Sequence, residues 1–453
     1  MVSWSTVRML LLLAVQLNLK TRACNINNAF LCSPIEEDRN VYVEMPRGYE
    51  QEGKVYKLKK SLYGLRTSSA DFFSFLSKKL TDELKFKQST LDRCMFYKPG
   101  IVAVTYVDDV LFFAKYNQTI TDTLSELEDI VTITKDEEDQ DVFAYLGVQV
   151  ERTTDANGKL TIQLVQPGLI DKVTTVIKQH GKSVKESKTR TEHTPASTAP
   201  LHSDKEGADF SEEEFGFNYA SAIGMLMYLA NTRPDIQYAV NAASRFTHSP
   251  KESHGRAIIR IARYLKCTPN NGIIIRPTKG PIKFNCYVDA DFCGSFGYED
   301  PQDPVSVKSR TGYVFTLGEN PVHWASKLQT LTALSTVEAE YVALSMSLRE
   351  FLPMRETARQ ICEVFSIDMG KDNKLKSTVF EDNSGALALA KAKRMNPRTK
   401  YFATHLHWFH EKITDDSGIT LEKIDTSMQK SDCMTKGLEK QTFLKIRKLL
   451  IGW

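Results

Sequence analysis

No two of the eight cysteines, at positions 24, 32, 94, 267, 286, 293, 362 and 433, form a Cys-x-x-Cys pair. Neither a zinc ribbon nor a disulfide framework is expected, and reduced thiols in an intracellular setting, cytoplasm or nucleus, are the reading. Charge of one sign is lacking too: 59 Lys and Arg stand against 56 Asp and Glu, leaving +3. Any nucleic-acid face must therefore be a local patch set against acidic surface elsewhere. No stretch approaches the ~20 apolar residues of a membrane span, so no membrane partner is expected. The opening "MVSWSTVRMLLLLAVQLNL" mimics a secretory signal, with Arg8 ahead of an apolar run. That run is short and lacks a clear small-residue cleavage site, so it reads as an amphipathic or buried helix in a protein that is not secreted.

What remains is a chain of 453 residues, 42% hydrophobic and 25% charged, with the composition of a soluble globular protein and the length of roughly three domains. From Asn25 to about Gly147 helical and strand patterns alternate. "SADFFSFLSKKLTDELK" and "TITDTLSELEDIVTI" read as helices, and "VFAYLGVQVERTTDANGKLTIQLVQ" as a hairpin turning at Asp155-Ala156-Asn157-Gly158. Residues 181–216 carry few large apolar side chains, which suggests an exposed connector or a loosely held excursion. Three helical patterns follow, and the last sets Arg256, Arg260, Arg263 and Lys266 along one stripe where a phosphate backbone could lie. "PIKFNCYVDADF" alternates Ile282, Phe284, Cys286 and Val288 against polar neighbours, a half-buried strand that leaves Asp289 off the core face. A long helix is expected from about Ser335, with Ser335 or Thr336 at its N-cap and Tyr341, Leu344, Leu348 and Leu352 on one stripe.

Carboxylates accumulate at two places. In "IVAVTYVDDVLFFAK" Asp108 and Asp109 interrupt an apolar stretch, and a buried carboxylate without compensation costs several kcal/mol. An acidic hairpin turn would account for the pair, and so would a divalent metal site. Further on come Asp289 on a strand, Glu340 or Glu338 in the first turns of the long helix, Asp382 after "KSTVF", and Asp432 in "QKSDCMTKG". Four converging carboxylates would supply hard oxygen ligands for Mg²⁺, and two such ions about 4 Å apart can open a phosphodiester. Spacing alone does not show convergence.

The motifs "NAFLCSPIEEDRNVYVEMPRGYE", "VYKLKKSLYGL", "YVDDVLFFA", "YLGVQV", "YASAIGMLMYLANTRPDIQYAV", "RYLKCT", "YVDADFCG", "SRTGYVFTLG", "WASKLQTLTALSTVEAEYVAL", "EDNSGALALA" and "KSDCMTKGL" stand in one order along nearly the whole chain. In that order they resemble the reverse transcriptase and ribonuclease H portion of a copia-type retrotransposon polyprotein. The resemblance implies an α+β architecture. A truncated right-hand polymerase palm and thumb-like region would span residues 1–180, a linker and helical connection 181–280, and a ribonuclease H-like mixed sheet flanked by helices 281–453. It implies Mg²⁺ or Mn²⁺ as cofactor, two per active site, an RNA–DNA hybrid or other nucleic acid as partner, and association with other polyprotein segments.

By the same resemblance Asp108 and Asp109 match the polymerase metal-binding pair. A third aspartate of the family falls at Asn25, where an amide brings no charge and leaves a metal pair under-neutralised. The family's Gln-(Ser/Ala)-Pro-Arg after "LYGL" is replaced by Thr67 to Ala70 after Arg66, and the fingers segment does not precede the palm. Asp289, Glu340, Asp382 and Asp432 match the ribonuclease H acids, with Glu338 as the fallback for Glu340. Three functions follow: a metal-dependent ribonuclease H beside an impaired polymerase, a working reverse transcriptase with fingers supplied elsewhere, or a non-catalytic nucleic-acid-binding remnant. "DDSGIT" at 415 reads as a helix-to-strand turn rather than a protease motif, and His405, His407 and His410 are not spaced for a zinc site.

Overall fold

The computed structural model describes residues 2–36, 38–138, 140–154, 158–178, 191–369, 372–392 and 407–453. It divides into two compact units, Met1–Asp141 with Gln360–Ile367, and Val142–Arg359 with Asp368–Trp453. The expected boundary near residue 180 lies outside the described residues.

The first unit is built on a six-stranded sheet in the order Lys87–Gln88, Met95–Lys98, Ile101–Tyr106, Asp109–Ala114, Lys20–Ile26, Ile133–Lys135. Every pairing in it is antiparallel. The central strands are β-branched and aromatic, as strands buried on both faces are. One face, with Cys24, Ile26, Ala103, Val110 and Phe112, packs with Phe72 and Leu76 of helix Ser68–Lys78 and with Ile120 and Leu124 of helix Asn117–Glu128. Val102, Val104, Leu111 and Phe113 of the other face are buried as well. The signal-like opening is helix Trp4–Leu17, capped by Ser3, whose side chain accepts from Ser5 N, and its apolar run is buried. Among the described residues no helix is long and apolar enough to cross a membrane.

The second unit holds a four-stranded antiparallel sheet, Ile273–Ile275, Leu160–Val165, Val148–Thr154, Val142–Tyr145, so residues on both sides of the 181–216 segment share one sheet. The expected hairpin pairs Thr154 with Leu160, and its turn lies partly outside the described residues. The three expected helices are Tyr219–Leu229, Gln237–Ser244 and Glu252–Lys266.

The described part of the 181–216 segment is not loosely held. Arg260 donates to the Thr194 carbonyl at 3.1 Å and to its hydroxyl at 2.7 Å, and the Ser197 carbonyl lies so close to Gly437 that a Cβ there would meet it at 1.8 Å. Polar ties, a glycine and the ring contact of Phe210 with Phe215 hold a segment whose composition offers few large apolar side chains.

A five-stranded mixed sheet completes this unit, in the order Asn320–Leu328, Arg310–Leu317, Phe284–Asp291, Ser377–Glu381, Ile419–Lys423. The first three strands are antiparallel and the last two run parallel to Phe284–Asp291. The long helix Thr336–Val364 stands between the third and fourth strands in sequence, which gives the mixed sheet with helices expected of an α+β unit. The central position of Phe284–Asp291 corrects one expectation. Both its faces are covered, so Asp289 is buried, at 5% exposure, together with Asn285 and Tyr287. Alternation tells the two faces of a strand apart but not which is wet. The helix begins as expected: Ser335 Oγ accepts from Glu338 N, and Tyr341, Leu344 and Leu348 are fully buried, while Phe351 rather than Leu352 continues the stripe. "DDSGIT" is a short turn ending at Gly418, whose φ of +72° suits glycine, before strand Ile419–Lys423.

Two candidate acidic centres

In the first unit Tyr106 pairs with Asp109 across a two-residue loop, Val107-Asp108, and Val107 takes φ +52°. A β-branched residue in the left-handed region is strained, and such strain concentrates at functional sites. The loop is held from the neighbouring strand, where Ile26 N donates to the Asp108 carbonyl at 2.7 Å. Asn25 lies directly opposite Asp109, and its Nδ2 donates to Asp109 Oδ1 at 3.0 Å. The amide must present its nitrogen, because its oxygen would repel the carboxylate. Both aspartates are half-buried. Asp136 lies within electrostatic reach of Asp109, and burial, then that neighbouring charge, raise its carboxyl above its ordinary value despite Arg22.

The second centre is assembled by three elements of the mixed sheet. Asp289 comes from the central strand, Glu340 from the first turns of the long helix, and Asp382 from the residue after strand Ser377–Glu381. Each offers a carboxylate oxygen within 4.8 Å of the others. Glu338 is not among them: its Oε2 accepts from Leu334 N at 2.6 Å and closes the helix start. The acids are aimed by their neighbours. Thr435 Oγ1 donates to Asp289 Oδ2 at 2.6 Å, and Thr426 Oγ1 to Asp382 Oδ2 at 2.8 Å.

Burial and mutual repulsion dominate here. Burial raises the Asp289 carboxyl from 3.8 to about 7, with Asp432 and Asp382 adding to it and Lys436 and the Thr435 hydroxyl opposing. Glu340 is pushed well above the carboxylate range by burial and then by Glu381, Asp289 and Asp382. Glu381, fully buried beside Asp382, is raised for the same first reason. Glu340 Oε2 and Glu381 Oε2 are buried without a hydrogen-bond partner among the described residues. A cation satisfies such oxygens, and an all-oxygen donor set is that of Mg²⁺ or Mn²⁺.

Asp432 does not join the cluster of three. It starts the short helix Asp432–Thr435 and pairs with Lys436 at 2.7 Å. Sequence reasoning misses Thr435, Lys436 and Glu381 as site residues. The spacing of Thr435 and Lys436, three and four residues after Asp432, is the signal that could have found two of them.

The basic stripe is partly engaged. Arg256 pairs with Glu252 at 2.8 Å, Arg260 is committed to Thr194 and Glu192, and Lys266 is exposed. Arg256, Arg260 and Arg263 line a cleft of about 710 Å³ with Phe215, Ile259 and Ile261. His405 lies outside the described residues; His407 and His410 both meet the Tyr341 hydroxyl.

Residues 1–184 match the family described as "Reverse transcriptase (RNA-dependent DNA polymerase)". The whole chain is 30% identical over 467 residues to the retrovirus-related Pol polyprotein from transposon TNT 1-94 of Nicotiana tabacum, covering 32% of that protein. Over 97% of its length it is 30% identical to the retrovirus-related Pol polyprotein from transposon RE1 of Arabidopsis thaliana, of which it covers 28%. Over 95% it is 22% identical to the transposon Ty1-NL2 Gag-Pol polyprotein of Saccharomyces cerevisiae, covering 24%. The chain thus spans about a third or less of the length of the curated relatives it matches. By the family match over residues 1–184 and this likeness along its whole length, the chain is similar to the Pol polyproteins of copia-type retrotransposons.

Proposed function

We propose that the second unit is a divalent-metal-dependent ribonuclease H acting on RNA–DNA hybrids, and that the polymerase centre of the first unit is impaired. The observation that carries the first half is the meeting of Asp289, Glu340 and Asp382 within 4.8 Å, with a buried Glu340 oxygen that has no hydrogen-bond partner among the described residues. These three residues would hold Mg²⁺ or Mn²⁺, with Asp432 as a fourth ligand. The chemistry supplied there is two-metal hydrolysis of a phosphodiester, in which charge on the attacking and leaving oxygens is stabilised together. The chain's own contribution is to fix the donors. Thr435 and Thr426 orient Asp289 and Asp382, and the covered central strand keeps bulk water from Asp289.

The polymerase half fits a metal pair less well. Where a third carboxylate would add charge, the Asn25 amide donates to Asp109 Oδ1 and occupies an oxygen that a cation would need. No step is assigned to that centre. The hybrid as substrate and other segments of the polyprotein as partners remain part of this reading.

The test is cleavage of an end-labelled RNA–DNA hybrid by the purified chain in Mg²⁺ and in Mn²⁺, beside Asp382→Asn. Cleavage that the variant abolishes is the expected result. A folded, hybrid-binding protein that leaves the RNA intact would reduce the motifs to ancestry.

A further inference from the structure

Asp432 is buried, 6% exposed, yet its Oδ1 faces Lys436 Nζ at 2.7 Å, one helical turn on. The ammonium does not serve Asp432 alone. Burial would weaken it, but the charges of Asp289, Asp432 and Asp291 outweigh that and keep it above its ordinary value. Thr435, between the two, places its hydroxyl on Asp289. Residues 432–436 thus deliver an acid, a hydroxyl and a cation to one place.

An ammonium and a metal ion compete for the same carboxylate oxygen. The lysine can yield it readily, because its side chain is 43% exposed on a flexible stem that can swing into water. Among the described residues no ammonium or guanidinium is paired directly with the three clustered acids, although the Lys436 charge also reaches Asp289. A divalent ion therefore meets an open triad and a fourth ligand already paired.

Resting on the ribonuclease H reading of this centre, the geometry points to Lys436 as an internal counter-ion that holds Asp432 in reserve. One divalent ion is taken up by Asp289, Glu340 and Asp382, and a second only in exchange for the lysine at Asp432. The lysine orders the loading of the site and limits it when no substrate is present.

Titration calorimetry of Mg²⁺ into the full chain, without nucleic acid, tests this with wild type, K436Q, K436R and D382N. The wild type is expected to take up one ion well before a second. In K436Q the second should bind about tenfold more tightly, the worth of one charge-assisted hydrogen bond. K436R should behave as wild type, since arginine keeps the counter-charge, and K436M repeats the test should K436Q fail to fold. Two ions of equal affinity in the wild type, or neutral variants that bind the second ion as the wild type does, overturn the counter-ion. D382N separates this from the reading beneath it. Loss of the first ion in D382N upholds the triad, and K436Q then decides for or against the counter-ion. A D382N that binds Mg²⁺ as the wild type does, or a wild type that binds none, overturns the triad and the counter-ion together.

Discussion

The two acidic centres of this chain answer the same electrostatic problem in opposite ways. At the hairpin of the first unit two half-buried aspartates stand near the Asn25 amide, which donates a hydrogen bond to one of them. Repulsion is relieved by a neutral donor, and the arrangement is stable as it stands. In the mixed sheet three acids converge with Glu381 beside them, and the answering charge among the described residues is the half-exposed Lys436. Repulsion is kept, as a site meant to recruit a cation keeps it. An acidic pair in a motif is therefore weaker grounds for metal chemistry than an acidic cluster in which buried oxygens of Glu340 and Glu381 have no donor among the described residues.

Removal of one converging acid should separate the centres most sharply. Glu340→Gln or Asp382→Asn should lower hybrid cleavage by at least about 10³-fold, the scale on which a preorganised charge-stabilising group counts. Asp109→Asn should leave it unchanged. Gel assays of an end-labelled hybrid decide this, and a loss on Asp109→Asn would mean that the centres are not independent.

Next in size is the pH dependence of stability without metal. The folded Asp289 carboxyl titrates near 7 against an ordinary 3.8. Between those values the folded chain holds a proton that the unfolded chain has released, so the stability tied to it is full below about 4 and is lost as pH rises through about 7. In EDTA the melting midpoint of the second unit should fall from pH 5 to pH 8. Asp289→Asn should flatten that slope and raise the midpoint at pH 8 by about 2–4 °C. Mg²⁺ at pH 8 should restore the wild type and not the variant. Differential scanning calorimetry reads all three, and a wild type more stable at pH 8 than at pH 5 in EDTA would contradict the repulsion inferred here.

Much of this is legible in the residue order. The strands around Asp108, the three helices after residue 216 and the start of the long helix all follow from periodicity and caps, which are local. The positions of Asp289, Glu340 and Asp382 are legible as acids, but their meeting joins strands and a helix far apart in sequence, which no spacing encodes. Two departures from expectation have the same root. Alternation sets Asp289 off the core because it is blind to a second covering layer. Composition makes the residues from 191 on look loose because part of their hold comes from Arg260, 66 positions from Thr194. Of Glu340 and Glu338, distance brings only Glu340 into the cluster of three, while Glu338 caps the helix it sits in.

Asn25→Asp gives the smallest effect and bears most directly on the comparison, because it turns the relieved centre toward the repulsive one. Asp replaces a donor by a third negative charge opposite Asp109, so the 3.0 Å hydrogen bond is lost and repulsion takes its place. At partial exposure that should cost about 1 kcal/mol in EDTA at pH 8, a shift of a few degrees in the first unit's unfolding. It should also create what the wild-type palm lacks, a Mn²⁺-dependent recovery of that loss, since the cation is then the remaining way to satisfy three carboxylates. Thermal melts of wild type and variant across a Mn²⁺ series, in a D382N background that weakens the other centre, isolate the effect. If the variant is destabilised and Mn²⁺ does not restore it, the hairpin does not gather its acids around a common point, and the proposed impairment would run deeper than one amide. Recovery would show the hairpin shaped for metal, and would support the proposal that Asn25 is what weakens it.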